Sequence, residues 1–111
     1  MKEKIDKLAK KLEKKVISYR RDFHKYPESA WTEFRTASKV AARLGDLGYD
    51  LKIGKEVIDE KNRMGVPSKE RLEKEFERAK EQGADLEYID EIEGGYTGVV
   101  GILKKGEGPT L

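Results

Sequence analysis

One histidine, His24, stands in a chain of 111 residues that holds no cysteine. It lies in the run Arg20-Arg21-Asp22-Phe23-His24-Lys25-Tyr26-Pro27-Glu28. A neutral imidazole there could serve as a general base, with Glu28 as the carboxylate that orients it. A base needs a nucleophile to act on, and no Ser or Lys is evidently presented to His24. The preferred reading is that both residues organise a corner between two helices. The imidazole would then bond to backbone, and Glu28 would lie near the positive end of the next helix.

Arg20, Arg21, Arg35 and Arg63 are candidates for binding a substrate carboxylate through paired hydrogen bonds. Ordinary pairing with the many glutamates is the simpler account of the first three. Arg63 fits it least, because it sits beside Met64-Gly65 with no evident packing reason. Asp90, Glu91 and Glu93 form an acidic cluster that could hold a hard cation, although a solvated loop explains them equally. Gly94, Gly95, Gly98 and Gly101 suggest a phosphate loop at first sight. Their spacing is not G-x-G-x-x-G, and they lead into a strand, whereas phosphate loops lead into a helix N-terminus. Glycines in a strand mark bulges or close packing instead.

The same inventory argues against metal chemistry within this chain. A catalytic zinc takes three protein ligands, and two or three of them are usually His. One His and no Cys do not supply them, and no D-x-[DN]-x-[DN]-G loop is present for calcium. We therefore expect no catalytic and no metal-ligating residue here, and assign no substrate-binding residue. The expected cofactor set for this chain is empty.

Composition narrows the class further. Lys and Arg number 24, Asp and Glu 22, for a net charge of +2, and 41% of residues are charged. Neither sign dominates, so neither nucleic acid nor an anionic membrane is an expected partner. No apolar run approaches a spanning helix, and the N-terminus lacks the apolar stretch of a secretory signal. The absence of Cys fits a cytoplasmic protein. The length allows one domain.

The elements that would position these residues follow from apolar periodicity. Ile5, Leu8, Leu12, Val16, Tyr19 and Phe23 recur at spacings of three and four and predict a helix over 2–24, with lysines crowding its other faces. Pro27 stops it, and Ser29 is the expected N-cap of a second helix over 30–47. Tyr49, Leu51 and Ile53 alternate with polar residues and predict a strand over 49–53. Residues 54–66 lack periodicity and read as a connection. Pro67-Ser68 opens a third helix over 68–82 with a thin stripe of Leu72, Phe76 and Ala79. From Lys55 to Glu93 there are 13 acidic and 8 basic residues, which suggests an exposed excursion from the body. Tyr96 to Leu103 is nearly continuous in apolar residues and predicts a strand over 96–103 covered on both faces. Lys104 to Pro109 has turn composition, and Thr110-Leu111 would begin a returning strand.

The motif around His24, followed by Trp31, Glu33, Phe34, Arg35-Thr36-Ala37 and then Leu44 to Gly48-Tyr49, resembles the N-terminal opening of a metallopeptidase family. That family comprises the aminoacylase/carboxypeptidase-type dinuclear amidohydrolases. Glu56-Val57, Glu60, Arg63-Met64-Gly65, Pro67, Glu75-Phe76-Glu77-Arg78-Ala79, Gln82-Gly83-Ala84 and Glu93-Gly94-Gly95-Tyr96-Thr97-Gly98 narrow the resemblance to its aminobenzoyl-glutamate-hydrolysing branch.

The resemblance implies an α/β fold: the N-terminal part of a three-layer α/β/α catalytic domain, in the order two helices, strand, inserted helix, strand, with the sheet incomplete. It implies a small-molecule amide substrate, p-aminobenzoyl-glutamate or a related N-acyl amino acid. Two divalent ions, zinc or manganese, are implied for full-length relatives, and a homo-oligomer or a second subunit is a possible partner. Family ligands and the general base lie beyond the stretch that Gly108-Pro109 would lead into, so none is carried onto a position here. His24 matches a motif position that is not a ligand in the family. The expectation is an N-terminal fragment of an amidohydrolase that is inactive alone. The alternatives are a non-catalytic interaction protein that offers an exposed strand or the basic helix to a partner, and an enzyme completed by another chain.

Overall fold

A computed structural model describes residues 1–111. The chain folds as α1 (Lys2–Lys25), α2 (Phe34–Asp46), β1 (Asp50–Ile53), α3 (Lys69–Glu81) and β2 (Val99–Ile102), with short 3-10 turns at Gly54–Glu56, Glu60–Asn62 and Ile89–Gly95. It is α/β in content, with two helices, a strand, an inserted helix and a second strand. β1 and β2 pair antiparallel, Asp50 opposite Ile102 and Ile53 opposite Val99, and form a sheet of two strands.

The core lies between α2, α3 and the Ile89–Gly95 turn, with β1 along its margin. Phe34 and Phe76 meet edge to face at 5.3 Å between centroids, the geometry that the ring quadrupoles favour. Ala37, Ala41 and Ala79 keep the facing helix surfaces small enough to approach, and Ile89 and Ile92 close the remaining side. The segment 55–93 is therefore no exposed excursion. Its charges point outward, while a few apolar residues at helical or 3-10 spacing supply half of the core, a signal too sparse to outweigh the net charge in the sequence.

Three further expectations change. α2 begins at Phe34, and Ser29 is not its cap. Instead the Ser29 carbonyl accepts hydrogen bonds from the Thr32 amide (2.9 Å) and hydroxyl (2.8 Å), closing a tight turn before the helix. Trp31 completes that turn at φ 66°, a left-handed conformation rare for a bulky side chain. The second strand is four residues long, and it is covered on one face only, with Val100 and Ile102 exposed. Tyr96 is buried, but as the residue that ends the 3-10 turn. Residues 103–111 form no returning strand.

The largest departure concerns α1. Its apolar stripe forms as the periodicity predicts, but nothing covers it. Every residue from Met1 to Arg21 is exposed, and the molecule extends 51 Å along its long axis. A 24-residue helix is about 36 Å long, so α1 is an arm attached to the body by its last turn.

Candidate functional site

Glu28 lies in the corner between α1 and α2, where it was expected. Its Oε2 accepts the Arg35 amide (2.8 Å), and its Oε1 accepts the Thr36 amide (2.8 Å) and hydroxyl (2.7 Å). One carboxylate thus satisfies two of the orphan N–H groups at the start of α2 and places a negative charge at the positive end of that helix. Glu33, the residue at the N-cap position, makes no side-chain cap and accepts a hydrogen bond from the Thr97 hydroxyl (3.0 Å) instead.

His24 does not join this corner. It lies in the last turn of α1, exposed, rather than bonded to backbone as expected. Pro27 and the turn of the chain at Tyr26 separate it from Glu28. The structure therefore does not bring together the pair that could have formed a base and its orienter.

Arg35 is the centre of the corner. It is 3% exposed and uses its whole guanidinium. Nη2 and Nη1 donate to the two carboxylate oxygens of Asp22 at 2.7 and 3.0 Å, and Nε donates to the Gln82 carbonyl at 2.8 Å. Its plane lies over the Tyr26 ring at 4.3 Å. These contacts tie α1, α2 and the end of α3 to one side chain. The hydrogen bonds from Arg35 hold the Asp22 carboxyl below its ordinary value of 3.8, with Lys39 and Lys25 adding to the effect and partial desolvation opposing it. Arg20 and Arg21 sit exposed on α1.

Arg63 makes a second knot. It stacks at 4.0 Å over the Tyr96 ring and at 5.8 Å from that of Trp31. Nη1 donates to the Gly94 carbonyl at 2.9 Å, and Nε is buried without a hydrogen-bond partner. Trp31 Nε1 donates to the Met64 carbonyl at 2.8 Å, which fixes the strand of chain that carries Arg63. Gly94 and Gly95 have φ of 79° and 88°, and a Cβ on Gly95 would sit 3.1 Å from the Trp31 carbonyl. These two glycines serve a tight turn, not a phosphate. Gly98 and Gly101 pack against Val57–Ile58 and Leu44–Tyr49, the close approach expected of strand glycines.

Arg63 borders an open groove of about 1090 Å³ between α3 and the Ile89–Gly95 turn. Asp90, Glu91 and Glu93 line it, together with Glu56, Glu60, Glu73 and Glu77. Seven carboxylates against three cations give it an acidic wall, unsuited to an anion. No three His, Asp or Glu side chains converge in a way that could hold a metal ion. The residues of this chain do not fit a pair of divalent ions, and no reaction step is derived through one. The site thus contains two structural arginine knots and an acidic groove, with no nucleophile set beside a base.

Sequence reasoning singled out Arg35, Arg63 and Glu28 but missed their partners. Asp22, Tyr26 and Gln82 around Arg35, and Trp31 and Tyr96 around Arg63, are separated from them by up to 47 residues. Only the chemistry of a guanidinium, which seeks carboxylates, carbonyls and ring faces, hints at such company.

No protein-family model matches the chain. It is 47% identical over 110 residues to the A-type subunit of p-aminobenzoyl-glutamate hydrolase from Escherichia coli (strain K12), covering 98% of this chain and 25% of that protein. It is 46% identical over 108 residues to indole-3-acetyl-aspartic acid hydrolase of Enterobacter agglomerans, covering 96% and 25%. Among solved structures, the aminobenzoyl-glutamate utilization protein from Klebsiella pneumoniae superposes with a TM-score of 0.85 at 50% identity, over 86% of this chain and 24% of that one. The chain spans about a quarter of the length of the curated relatives it matches. No helix is long and apolar enough to cross a membrane. In sequence and in fold, then, the chain belongs with the A-type subunits of p-aminobenzoyl-glutamate hydrolase and corresponds to the N-terminal portion of that group.

Proposed function

We propose that this chain supplies the N-terminal part of the catalytic domain of a metal-dependent amidohydrolase, and that it is inert by itself. The substrate class is p-aminobenzoyl-glutamate or a related N-acyl amino acid. The observation that carries the reading is the likeness, at 46–47% identity over nearly the whole chain, to two proteins named as hydrolases of N-acyl amino acids. The geometry supports a scaffolding share in that activity. Both arginine knots fix the relative placement of helices and turns, and neither presents a group to a scissile amide.

When bound, two divalent ions would polarise the amide carbonyl and generate a hydroxide near neutral pH. The ligands for them would come from outside these 111 residues. This chain's own contribution is to hold α2, α3 and the two-stranded sheet in a fixed relation. We also propose a cytoplasmic location and a second polypeptide as partner. The matched Escherichia coli protein is named as one subunit of its enzyme, which supports the partner.

The test measures release of p-aminobenzoate from p-aminobenzoyl-glutamate with manganese or zinc added. The chain alone is expected to give no turnover. Mixed with a polypeptide covering the remaining three-quarters of the Escherichia coli relative, it is expected to restore hydrolysis. Turnover by the chain alone overturns its inertness. A folded, associated mixture that cleaves no N-acyl amino acid overturns the assignment.

A further inference from the structure

We propose that α1 is a dimerisation arm, pairing antiparallel with α1 of a second copy of this chain. The stripe on α1 is too apolar and too exposed to be ordinary surface: Ile5, Leu8, Leu12 and Val16 are each at least 50% exposed, and Tyr19 is 41% exposed. These residues form one continuous face, at the upper end of what a monomer leaves open. Two such faces laid together bury on the order of 1,000 Å² in total, the lower edge of a specific interface.

Register selects the orientation. The steps along the stripe, from Ile5 through Leu8, Leu12, Val16 and Tyr19 to Phe23, read nearly the same in both directions. Turned about a two-fold axis near Lys14, Ile5 opposes Phe23 of the second copy, Leu8 opposes Tyr19 and Leu12 opposes Val16. A self-complementary surface of this kind closes after two copies and leaves no open chain of contacts.

Shape and charge agree with that orientation. The C-terminal half of α1 already borders a cleft of about 590 Å³ with α2, walled by Tyr19, Phe23, Val40 and Leu44. Antiparallel pairing seats the projecting N-terminal half of one arm in this cleft of the other copy. Lys4 and Asp22 lie on the same flank of the stripe by helical spacing, and Asp46 and Asp85 stand in the same cleft. The lysine-rich half thus meets carboxylates. A parallel pair would set Lys4, Lys11 and Lys15 against their own copies.

Sedimentation equilibrium of the 111-residue chain, from about 1 μM to about 1 mM, reads the association directly. The expected result is a monomer–dimer equilibrium that Leu8→Asp with Leu12→Asp weakens by at least ~100-fold. These residues are exposed, so helix content by circular dichroism is expected to persist. An equimolar mixture of Leu12→Cys and Val16→Cys chains is expected to cross-link on mild oxidation, and Leu12→Cys alone far less. A monomer throughout the range, a dimer that survives the double aspartate variant, or ready cross-linking of Leu12→Cys to itself would each overturn the proposal.

Discussion

Arg35 and Asp22 grip each other through two parallel hydrogen bonds, Nη2 to Oδ1 at 2.7 Å and Nη1 to Oδ2 at 3.0 Å, across the corner between α1 and α2. Arg35 is buried and Asp22 is 34% exposed at its side chain, so the pair reaches from the core to the surface. It is the main link between the arm and the body. Because the Asp22 carboxyl is held below 3.8 by Arg35 first, then by Lys39 and Lys25, the pair's contribution to stability is complete above that value. It is lost as pH falls through the lower folded value. Unfolding measured between pH 7 and pH 2 is expected to show this loss in the native chain, and Asp22→Asn is expected to remove it. An Asp22→Asn chain with an unchanged acid profile would contradict this role.

Glu28 caps α2 from outside the helix, and His24 touches neither. Glu28→Ala is expected to destabilise the chain by about 1–2 kcal/mol, since it leaves two amides and a hydroxyl without their acceptor. His24→Ala is expected to stay within about 0.5 kcal/mol of the native chain. Urea unfolding of both variants checks the contrast, and equal losses would reject it.

Gly54 has no room for a side chain. Its φ is 66°, its amide donates to the Gly98 carbonyl at 2.9 Å, and a Cβ there would come within 2.0 Å of the Glu91 carbonyl oxygen. The neighbour is backbone and does not swing aside. Gly54→Ala is expected to cost more than about 3 kcal/mol, or to leave the chain unfolded by thermal melting. Gly48→Ala, where φ is 84° but nothing lies within 4 Å of the new Cβ, is expected to cost about 1 kcal/mol from strain alone.

Arg63 lies between the Trp31 and Tyr96 rings. Lys keeps the charge but not the planar group that stacks and donates to the Gly94 carbonyl. Arg63→Lys is expected to cost about 1–2 kcal/mol and to shift the emission of Trp31, the single tryptophan. An unaltered spectrum together with unaltered stability would reject the stacking role.

Much of this architecture was legible in the residues, for identifiable reasons. Spacings of three and four placed α1, α2 and α3, because each carries apolar residues at fixed intervals on one face. Glu28 was legible as a helix-end charge, because Pro27 fixed where α1 must stop. What escaped was set by contacts distant in sequence. The Gln82 carbonyl is 47 residues from Arg35 and marks its acceptance by no side-chain signal. The later start of α2 follows from Glu28 reaching forward by seven and eight residues, outside the range of local capping rules. The 3-10 turn at Ile89–Gly95 buries Ile89 and Ile92 within a run dominated by Asp and Glu, so net charge hid a core segment. The apolar stripe on α1 was read correctly as amphipathic, but periodicity alone does not say what a stripe faces.

The uneven distribution of burial has a consequence for how a protease would meet the chain. All ten residues of the buried cluster fall between Phe34 and Ile92. Outside them lie a lysine-studded arm on one side and an unpaired tail past Leu103 on the other. Cleavage needs a locally unfolded stretch, and an arm held by its last turn opens far more cheaply than the body. Brief trypsin treatment should therefore trim the two ends first and leave a resistant kernel that begins near the Asp22–Arg35 clasp.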